Sequence, residues 1–302
     1  MTDTLLAPPA ARQGPGPLAE PLVEALDVAV NRLVARTLPG DRRAAGVGIG
    51  TELAQLRPYE IGDDVRHIDA AATARTGTPH VRLHVPERAL TTWIVLDVSA
   101  SMAFGTARRL KADVAEGAAH VFGRLGVRRA GSVGLVAFGA GPPRVLPPRG
   151  SKPGVVAGRR TLAEGVSPDG RHESEALADA LRRVGRLATQ PGLAVVISDF
   201  RDQRGWERAL GSLRLRHSVL AVEIVDPREA ELPAVGYLAL VDPETGARIE
   251  VNTSRGRVRR RFAELEAARR QEVASELRRL RVHHAVLSTD QDWLLELGRQ
   301  LR

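Results

Sequence analysis

From residue 90 onward, short apolar runs alternate with longer segments in which apolar residues recur every three or four positions. The continuous runs predict buried strands, and the longer spacing predicts amphipathic helices. The predicted strands cover 93–96, 132–138, 193–197, 218–225 and 282–287, with a short edge strand at 144–146. The predicted helices cover 106–125, 173–188, 206–215, 257–281 and 290–301. Strands that alternate with helices form a mostly parallel sheet with helices on both faces, so the pattern predicts an α/β fold.

The segments before this alternation have different patterns. Residues 1–19 are rich in Pro, Ala and Gly, which is typical of a disordered tail. Apolar residues between positions 22 and 33 have helical spacing, and Pro39-Gly40 ends the predicted N-terminal helix. Residues 57–88 mix many charges with few large apolar side chains, and alternation at 81–85 predicts one strand there.

A hairpin is predicted in the C-terminal part of the chain. Turn-forming residues at 242–246 separate two strand-like runs, 237–241 and 247–251. We therefore divide the chain into a tail at 1–19, an N-terminal helix with a polar segment at 20–90, and an α/β domain at 91–302 with a hairpin insertion near 235–251.

Composition restricts the class of protein. The 302 residues are 43% hydrophobic, as in globular proteins, and no apolar run approaches the roughly 18 residues that a membrane span needs. The absence of cysteine excludes disulfides, thiol nucleophiles and cysteine-based zinc sites. The first residues do not have the pattern of a secretory signal, so we expect a cytoplasmic location. The net charge of +8 leaves a nucleic-acid-binding protein open as an alternative, although only 3% of residues are aromatic and available for base stacking.

The loops after two predicted strands carry candidate metal ligands. Asp97, Ser99 and Ser101 follow one buried strand at alternate positions, and Asp199 follows another. Sites in parallel sheets form at the carboxyl ends of strands, and oxygen ligands of this kind suit Mg²⁺. The alternative interpretation is that these side chains only cap the helices that follow them.

Known enzyme motifs are missing from the sequence. It contains no phosphate-binding loop of the G-x-x-x-x-G-K-[ST] type, no H-E-x-x-H and no G-x-S-x-G. We therefore expect a protein that is not an enzyme. A metal-dependent hydrolase that uses the same acidic centre stays open as an alternative, because carboxylates and a metal ion together can activate water.

The D-x-S-x-S pattern resembles a known type of metal site. Asp97, Ser99 and Ser101 resemble the metal-ion-dependent adhesion site (MIDAS) of von Willebrand factor A-like domains, and Asp199 in VVISDF is similar to the third metal loop of that family. The resemblance implies a von Willebrand factor A-like fold with a divalent ion, usually Mg²⁺. The second metal loop would then lie at 172–177, where Ser174 offers a hydroxyl.

The segment that precedes this motif resembles a particular family. YEIGDDVRHID at 59–69, TAR at 73–75 and MAFG at 102–105 together resemble the domain-of-unknown-function 58 family. Members of that family are associated with MoxR-type AAA+ ATPases and are thought to act as adaptors in the remodelling or maturation of other proteins. The resemblance implies that an acidic side chain of a partner completes the coordination of the ion.

Charged residues of the polar segment are further candidates. We expect them to form a network that fixes the metal loop or contacts the partner, and purely structural ion pairing is the alternative. The residues of this predicted network are Asp63, Asp64, Arg66, Asp69 and Arg75.

Overall fold

The computed structural model describes residues 14–37, 52–85, 90–105, 108–128, 131–150, 176–201, 205–242 and 246–301, without the side chains of 52–55 and 82–85. The chain divides into two compact units, one formed by Met1–Pro39 with Leu90–Arg302 and the other by Gly40–Ala89. No described helix is both long enough and apolar enough to cross a lipid bilayer.

The helices and strands of the larger unit follow the order that the sequence pattern predicts. In the described residues, the helices are α1 (Glu20–Thr37), α2 (Ala70–Thr76), α3 (Lys111–Val127), α4 (Ala176–Leu187), α5 (Trp206–Arg214), α6 (Gly256–Arg279) and α7 (Trp293–Gln300). The strands are β1 (Glu52–Pro58), β2 (His80–Val85), β3 (Thr91–Asp97), β4 (Ser132–Phe138), β5 (Arg144–Arg149), β6 (Leu193–Ser198), β7 (Ser218–Val225), β8 (Tyr237–Val241), β9 (Arg248–Asn252) and β10 (His283–Ser288).

The larger unit is built on a mostly parallel sheet with the strand order β10-β7-β6-β3-β4-β5. All neighbouring strands are parallel except β5, which runs antiparallel to β4 at one edge. Counted along the chain within this sheet, the order is 3-2-1-4-5-6, the doubly wound arrangement. The strand order reverses between β3 and β6, so the crevice that usually forms a site lies at the carboxyl ends of these two strands.

Helices cover both faces of this sheet, which confirms the predicted fold class. Within β3, Ile94 and Leu96 belong to one apolar core and Trp93 and Val95 to the other, because successive side chains of a strand point to opposite faces. Helices α1, α3 and α7 close the first core. Helices α4, α5 and α6 close the second.

The N-terminal segment belongs to the larger unit. Helix α1 buries Val23, Leu26 and Val30 in the first core, which separates this helix from the polar segment with which the sequence analysis grouped it. Residues 14–19 are the described part of the predicted disordered tail. The carbonyl of Pro15 accepts hydrogen bonds from Arg109 Nη1 at 2.5 Å and from Trp293 Nε1 at 2.9 Å. Residues 1–13 lie outside the described part of the chain.

The smaller unit contains two elements that the sequence pattern did not predict. Strand β1 pairs antiparallel with β2, and helix α2 follows a short 3₁₀ turn. Asp69 begins α2 by accepting a hydrogen bond from the Ala72 backbone N–H, and Gly77 ends it with a φ of 74°. The helix has no apolar stripe, because its sequence is AAATART, so periodicity did not reveal it.

Leu177 tests the packing of the second core. Its side chain is fully buried in α4, whereas Leu187 of the same helix is 40% exposed. Replacing Leu177 by alanine should lower the free energy of unfolding by about 2–5 kcal/mol, because it removes buried methyl groups and leaves a cavity. Leu187→Ala is the matched control and should change it by about 0.5 kcal/mol or less. Equal urea midpoints for the two variants would contradict this packing.

Candidate metal centre

The loop after β3 brings three oxygen-bearing side chains together. Asp97 is the last residue of β3, and its Oδ1 accepts a hydrogen bond of 2.9 Å from the Ser99 backbone N–H. Ser99 precedes a 3₁₀ turn that contains Ser101, and the two hydroxyl oxygens lie 3.1 Å apart. All three side chains are buried. The alternate spacing in the sequence thus becomes a compact group of oxygen atoms at the end of the central strand.

Backbone from the neighbouring strand supports this loop. The Val98 N–H donates to the Phe138 carbonyl, and Gly139 follows with a φ of 94°. A methyl group added to Gly139 would lie 2.7 Å from Ser99 Cβ and 2.8 Å from Ser99 N. The position therefore needs glycine for two reasons, its backbone conformation and its close approach to Ser99.

The end of β6 supplies the second half of the centre. Ser198 Oγ donates a hydrogen bond of 2.5 Å to Asp97 Oδ2, because the parallel register places the end of β6 beside the end of β3. Asp199 follows Ser198 in the chain, and its carboxylate accepts a hydrogen bond from the Ser101 hydroxyl. The structure therefore brings together four of the five predicted ligands. Ser174 lies outside the described residues.

A lysine that the sequence analysis did not single out also belongs to the centre. Lys111, in the first turn of α3, is fully buried, and its Nζ lies 2.6 Å from Asp199 Oδ2 and 2.6 Å from Glu229 Oε1. Glu229 lies in the 3₁₀ turn that follows β7. A lysine in the first turn of a helix opposes the helix dipole, but the sequence analysis began this helix at 106 and so did not place Lys111 in the first turn. Its partners lie 88 and 118 residues away, and periodicity carries no information about them.

An arginine network extends from this lysine to helix α6. Arg201 lies 3.3 Å from Glu229 Oε1 through Nε and 2.9 Å from Glu266 Oε1 through Nη2. Glu266 also pairs with Arg269 at 2.9 Å and with Arg270 at 3.2 Å. Carboxylates and cations therefore alternate from the end of β6 to the surface of α6.

The carboxylates of this cluster differ in their charge partners. Burial raises the pKa of Asp97 to about 7 in the metal-free protein, and the charge of Asp199 adds to this effect. Burial would also raise the pKa of Asp199, but the charges of Lys111 and Arg201 outweigh it and lower the value to about 2. Burial disfavours the charged form of Lys111, yet Asp199 and Glu229 hold its pKa above the ordinary value. Among the described residues, no cation lies within ion-pair distance of Asp97.

Asp97 and the two serines have the chemistry of a site for a hard divalent cation. A buried carboxylate without a cation and two adjacent hydroxyls are oxygen donors of the kind that Mg²⁺ binds while it keeps some of its waters. The described residues contain no group of three or more His, Cys, Asp or Glu side chains placed around one ion, so such a site would rest on few charged ligands. The donor set fits Mg²⁺ through Asp97, Ser99 and Ser101.

Comparison with known proteins places the chain in a family. Residues 55–272 match the family model described as Protein of unknown function DUF58. The chain belongs to this DUF58 family. The match covers both the polar segment and the loop with the D-x-S-x-S pattern, which are the parts that carried the resemblance in the sequence.

Relatives of this DUF58 chain are present in mycobacteria. Uncharacterized protein Mb1516 of Mycobacterium bovis and Uncharacterized protein Rv1480 of Mycobacterium tuberculosis are each 40% identical to it over 279 residues, which cover 91% of this chain and 86% of the relative. Among solved structures, BatB from Bacteroides thetaiotaomicron is similar with a TM-score of 0.44 and 15% identity, and it covers 70% of this chain and 97% of its own. The SpRpn10 VWA domain has a TM-score of 0.33 and 16% identity over 45% of this chain and 75% of that domain.

The charged side chains of the polar segment make local contacts within the smaller unit. Asp63 pairs with Arg57 at 2.6 Å. Asp64 accepts a hydrogen bond from the Arg66 backbone N–H, and Asp69 is the N-cap of α2. The side chains of Arg66 and Arg75 make no ion pair within the described part of the chain. The three acidic residues therefore fix turns and a helix end in the smaller unit, where local hydrogen bonds satisfy them.

Glu266 tests the arginine network on α6. Its carboxylate is nearly buried among three arginines, which outweigh the effect of burial and lower its pKa below the ordinary value of 4.5. Glu266→Gln should therefore lower the free energy of unfolding at neutral pH by about 1.5–3 kcal/mol. Because the folded-state pKa is depressed, this contribution is present above the ordinary value and is lost as the pH falls through the folded-state pKa. Urea unfolding at neutral and acidic pH measures both effects.

Glu264 of the same helix is the matched control for this substitution. It pairs with Arg261 at 3.7 Å, and both side chains are about two-thirds exposed. An exposed pair of this kind contributes between about 0 and 1 kcal/mol. Glu264→Gln should leave the urea midpoint almost unchanged, and an equal loss in the two variants would show that the network adds nothing to stability.

Proposed function

We propose that this DUF58 chain is a metal-dependent protein-binding adaptor that is not an enzyme. A divalent cation, Mg²⁺ in the first instance, is held by Asp97, Ser99 and Ser101, and an acidic side chain of a partner completes its coordination. The supporting observation is the state of Asp97, a buried carboxylate beside two hydroxyls with no cation near it in the described residues. The bound ion would supply the positive charge that links the buried loop to the partner's carboxylate.

Other residues of the centre hold the ligands in position. The Ser198 hydroxyl and the Ser99 backbone N–H fix the two oxygens of Asp97, so the carboxylate keeps one orientation. Lys111 and the Arg201 backbone N–H fix Asp199, which in turn accepts from Ser101. In this proposal Asp199 acts on the ion directly or through water, and Ser174 is the candidate ligand of the second loop.

The proposed partner is a MoxR-type AAA+ ATPase or a client protein that it remodels. This part of the proposal follows from the family resemblance of the sequence, together with a cytoplasmic location. An adaptor needs a surface whose binding can be switched, and a metal whose last ligand comes from the partner provides one. The buried carboxylates, each already holding two or more hydrogen bonds, suit the retention of an ion better than proton transfer to a substrate.

The direct test is binding to a purified MoxR-type AAA+ ATPase from the same organism. Biolayer interferometry without nucleotide compares Mg²⁺ with EDTA, so that the metal requirement belongs to this chain. We expect Asp97→Asn to weaken binding by more than about tenfold, because the ion that bridges the two proteins is lost. Asp292→Asn, which changes an exposed helix cap, is the control and should bind like the wild type. Wild-type binding that is equally strong in Mg²⁺ and in EDTA, or equal binding of the wild type and Asp97→Asn in Mg²⁺, would overturn the proposal.

A further inference from the structure

Lys111 is the one lysine or arginine that is buried in the described part of the chain. Its side chain has no exposed surface, and its ammonium lies 2.6 Å from one oxygen each of Asp199 and Glu229. These two carboxylates are themselves 3% and 11% exposed. The ammonium therefore joins three elements, the first turn of α3, the end of β6 and the turn after β7.

The position of this lysine has no explanation in the helix itself. A cation in the first turn opposes the helix dipole, and complete burial of an ammonium is unfavourable unless carboxylates surround it. The same holds for the two carboxylates, which need a cation in order to stay ionised inside the protein. A divalent ion commonly fills that role at the carboxyl ends of such strands, and here a side chain of the protein fills it for Asp199 and Glu229.

We infer that Lys111 is the resident cation of this centre and that its ammonium holds Asp199 and Glu229 in place without metal. Asp97 is then the one carboxylate of the centre whose charge a divalent ion neutralises. The centre then keeps its shape when the ion leaves. The ion meets one uncompensated carboxylate and two neutral hydroxyls, and so binds weakly and reversibly. The weak affinity for the ion rests on the proposed function, whereas the role of Lys111 as the cation does not.

Two variants separate the charge of Lys111 from its volume. Lys111→Met keeps a long unbranched side chain but removes the buried cation from Asp199 and Glu229. Their remaining neighbouring cation, Arg201, is 29% exposed and lies 4.0 Å and 3.3 Å from them. The triple variant K111M/D199N/E229Q removes the three charges together with almost no change of shape. Replacing a buried ion pair as a whole is often tolerated, whereas removing one partner is strongly destabilising.

Thermal melting in EDTA tests the resident cation. We expect K111M to melt about 10 °C or more below the wild type, and the triple variant to recover at least about half of that loss. Should K111M fail to fold, folding of the triple variant still supports the inference. A triple variant that melts as low as K111M, or that also fails to fold, overturns it, because the loss would then come from packing and not from charge.

Melting with added metal tests the effect of Lys111 on the ion. In about 10 mM MgCl₂, an ion that binds the folded state raises its stability by mass action. We expect K111M to gain clearly more from Mg²⁺ than the wild type does, because the freed carboxylates add charge around the ion, and the triple variant to lose that gain. An equal gain in melting temperature for K111M and the wild type would show that Lys111 does not weaken Mg²⁺ binding. If neither the wild type nor Asp97→Asn responds to Mg²⁺, the metal part of the proposed function fails, and the comparison in EDTA still decides on Lys111.

Discussion

Asp97→Asn should abolish the heat of Mg²⁺ binding in calorimetry and, in the absence of metal, raise the free energy of unfolding by about 1–2 kcal/mol. Both effects have the same cause. Asp97 is a buried carboxylate, and the charge of a second carboxylate, Asp199, further disfavours its ionised form. The amide of asparagine keeps an oxygen that can accept from the Ser99 N–H without carrying the charge. A residue whose removal stabilises the protein is typical of a site that is kept for binding.

The same residue gives the metal-free protein a defined dependence on pH. The ordinary pKa of 3.8 rises to about 7 in the folded state, so the folded chain holds this proton more tightly than the unfolded chain does. The contribution of Asp97 to stability therefore decreases as the pH rises from about 4 to about 7, and Mg²⁺ binding strengthens over the same interval because the ion needs the ionised carboxylate. Asp97→Asn should show neither change.

Calorimetric titration and urea unfolding measure these effects. Both are recorded from pH 5 to pH 8, a range of about three pH units that includes the raised pKa of Asp97. Asp292→Asn is the control and should keep the wild-type heat and the wild-type pH profile, because Asp292 is an exposed N-cap of α7 and asparagine caps equally well. If Asp97→Asn binds Mg²⁺ like the wild type, Asp97 does not hold the ion and the proposed metal site is wrong.

Gly139→Ala should disturb the centre from the neighbouring strand. Its Cβ would meet three atoms of Ser99 at distances of 2.7–2.9 Å, two of which belong to the backbone and cannot rotate away. The Asp97–Ser101 loop must shift, and we expect a loss of about 2–4 kcal/mol in the free energy of unfolding. We also expect Mg²⁺ affinity to fall about tenfold, because displacement of Ser99 separates the oxygen donors.

Gly141→Ala provides the matched control, two residues further along the same turn. Gly141 has a φ of 88°, close to the 94° of Gly139, but a methyl group there would meet no atom within 4 Å. This variant carries the backbone strain alone, about 1 kcal/mol, and should bind Mg²⁺ like the wild type. Urea unfolding and calorimetry on both variants separate the two contributions, and equal metal affinities would show that the close contact with Ser99 has no effect on the site.

The buried strands could be predicted because their sequences carry the information locally. The apolar runs 132–138 and 218–225 coincide with β4 and β7, and the turn residues after Val241 mark the hairpin of β8 and β9. Strands covered on both faces read as continuous apolar runs, and this signal needs no knowledge of distant residues. The placement of Asp97 and Asp199 at strand ends follows directly from it.

Other features depend on contacts that no local pattern shows. Helix α3 begins at Lys111 and not at 106, because the Phe104 carbonyl accepts from the Lys111 N–H and Asp113 caps the Leu110 N–H. The sequence pattern predicts that Lys111 is a polar position on an amphipathic helix. Its burial is decided by Asp199 and Glu229, which only the completed sheet brings to it.

The central claim is that Asp97, Ser99 and Ser101 hold one divalent ion. Diffraction from crystals grown with MnCl₂, recorded at the manganese absorption edge, tests it most directly, because Mn²⁺ accepts the same oxygen ligands and gives an anomalous signal. We predict one anomalous peak within coordination distance of these three side chains, with Lys111 still paired to Asp199. Clear density for the loop with no such peak, or a peak only at other residues, would contradict the account.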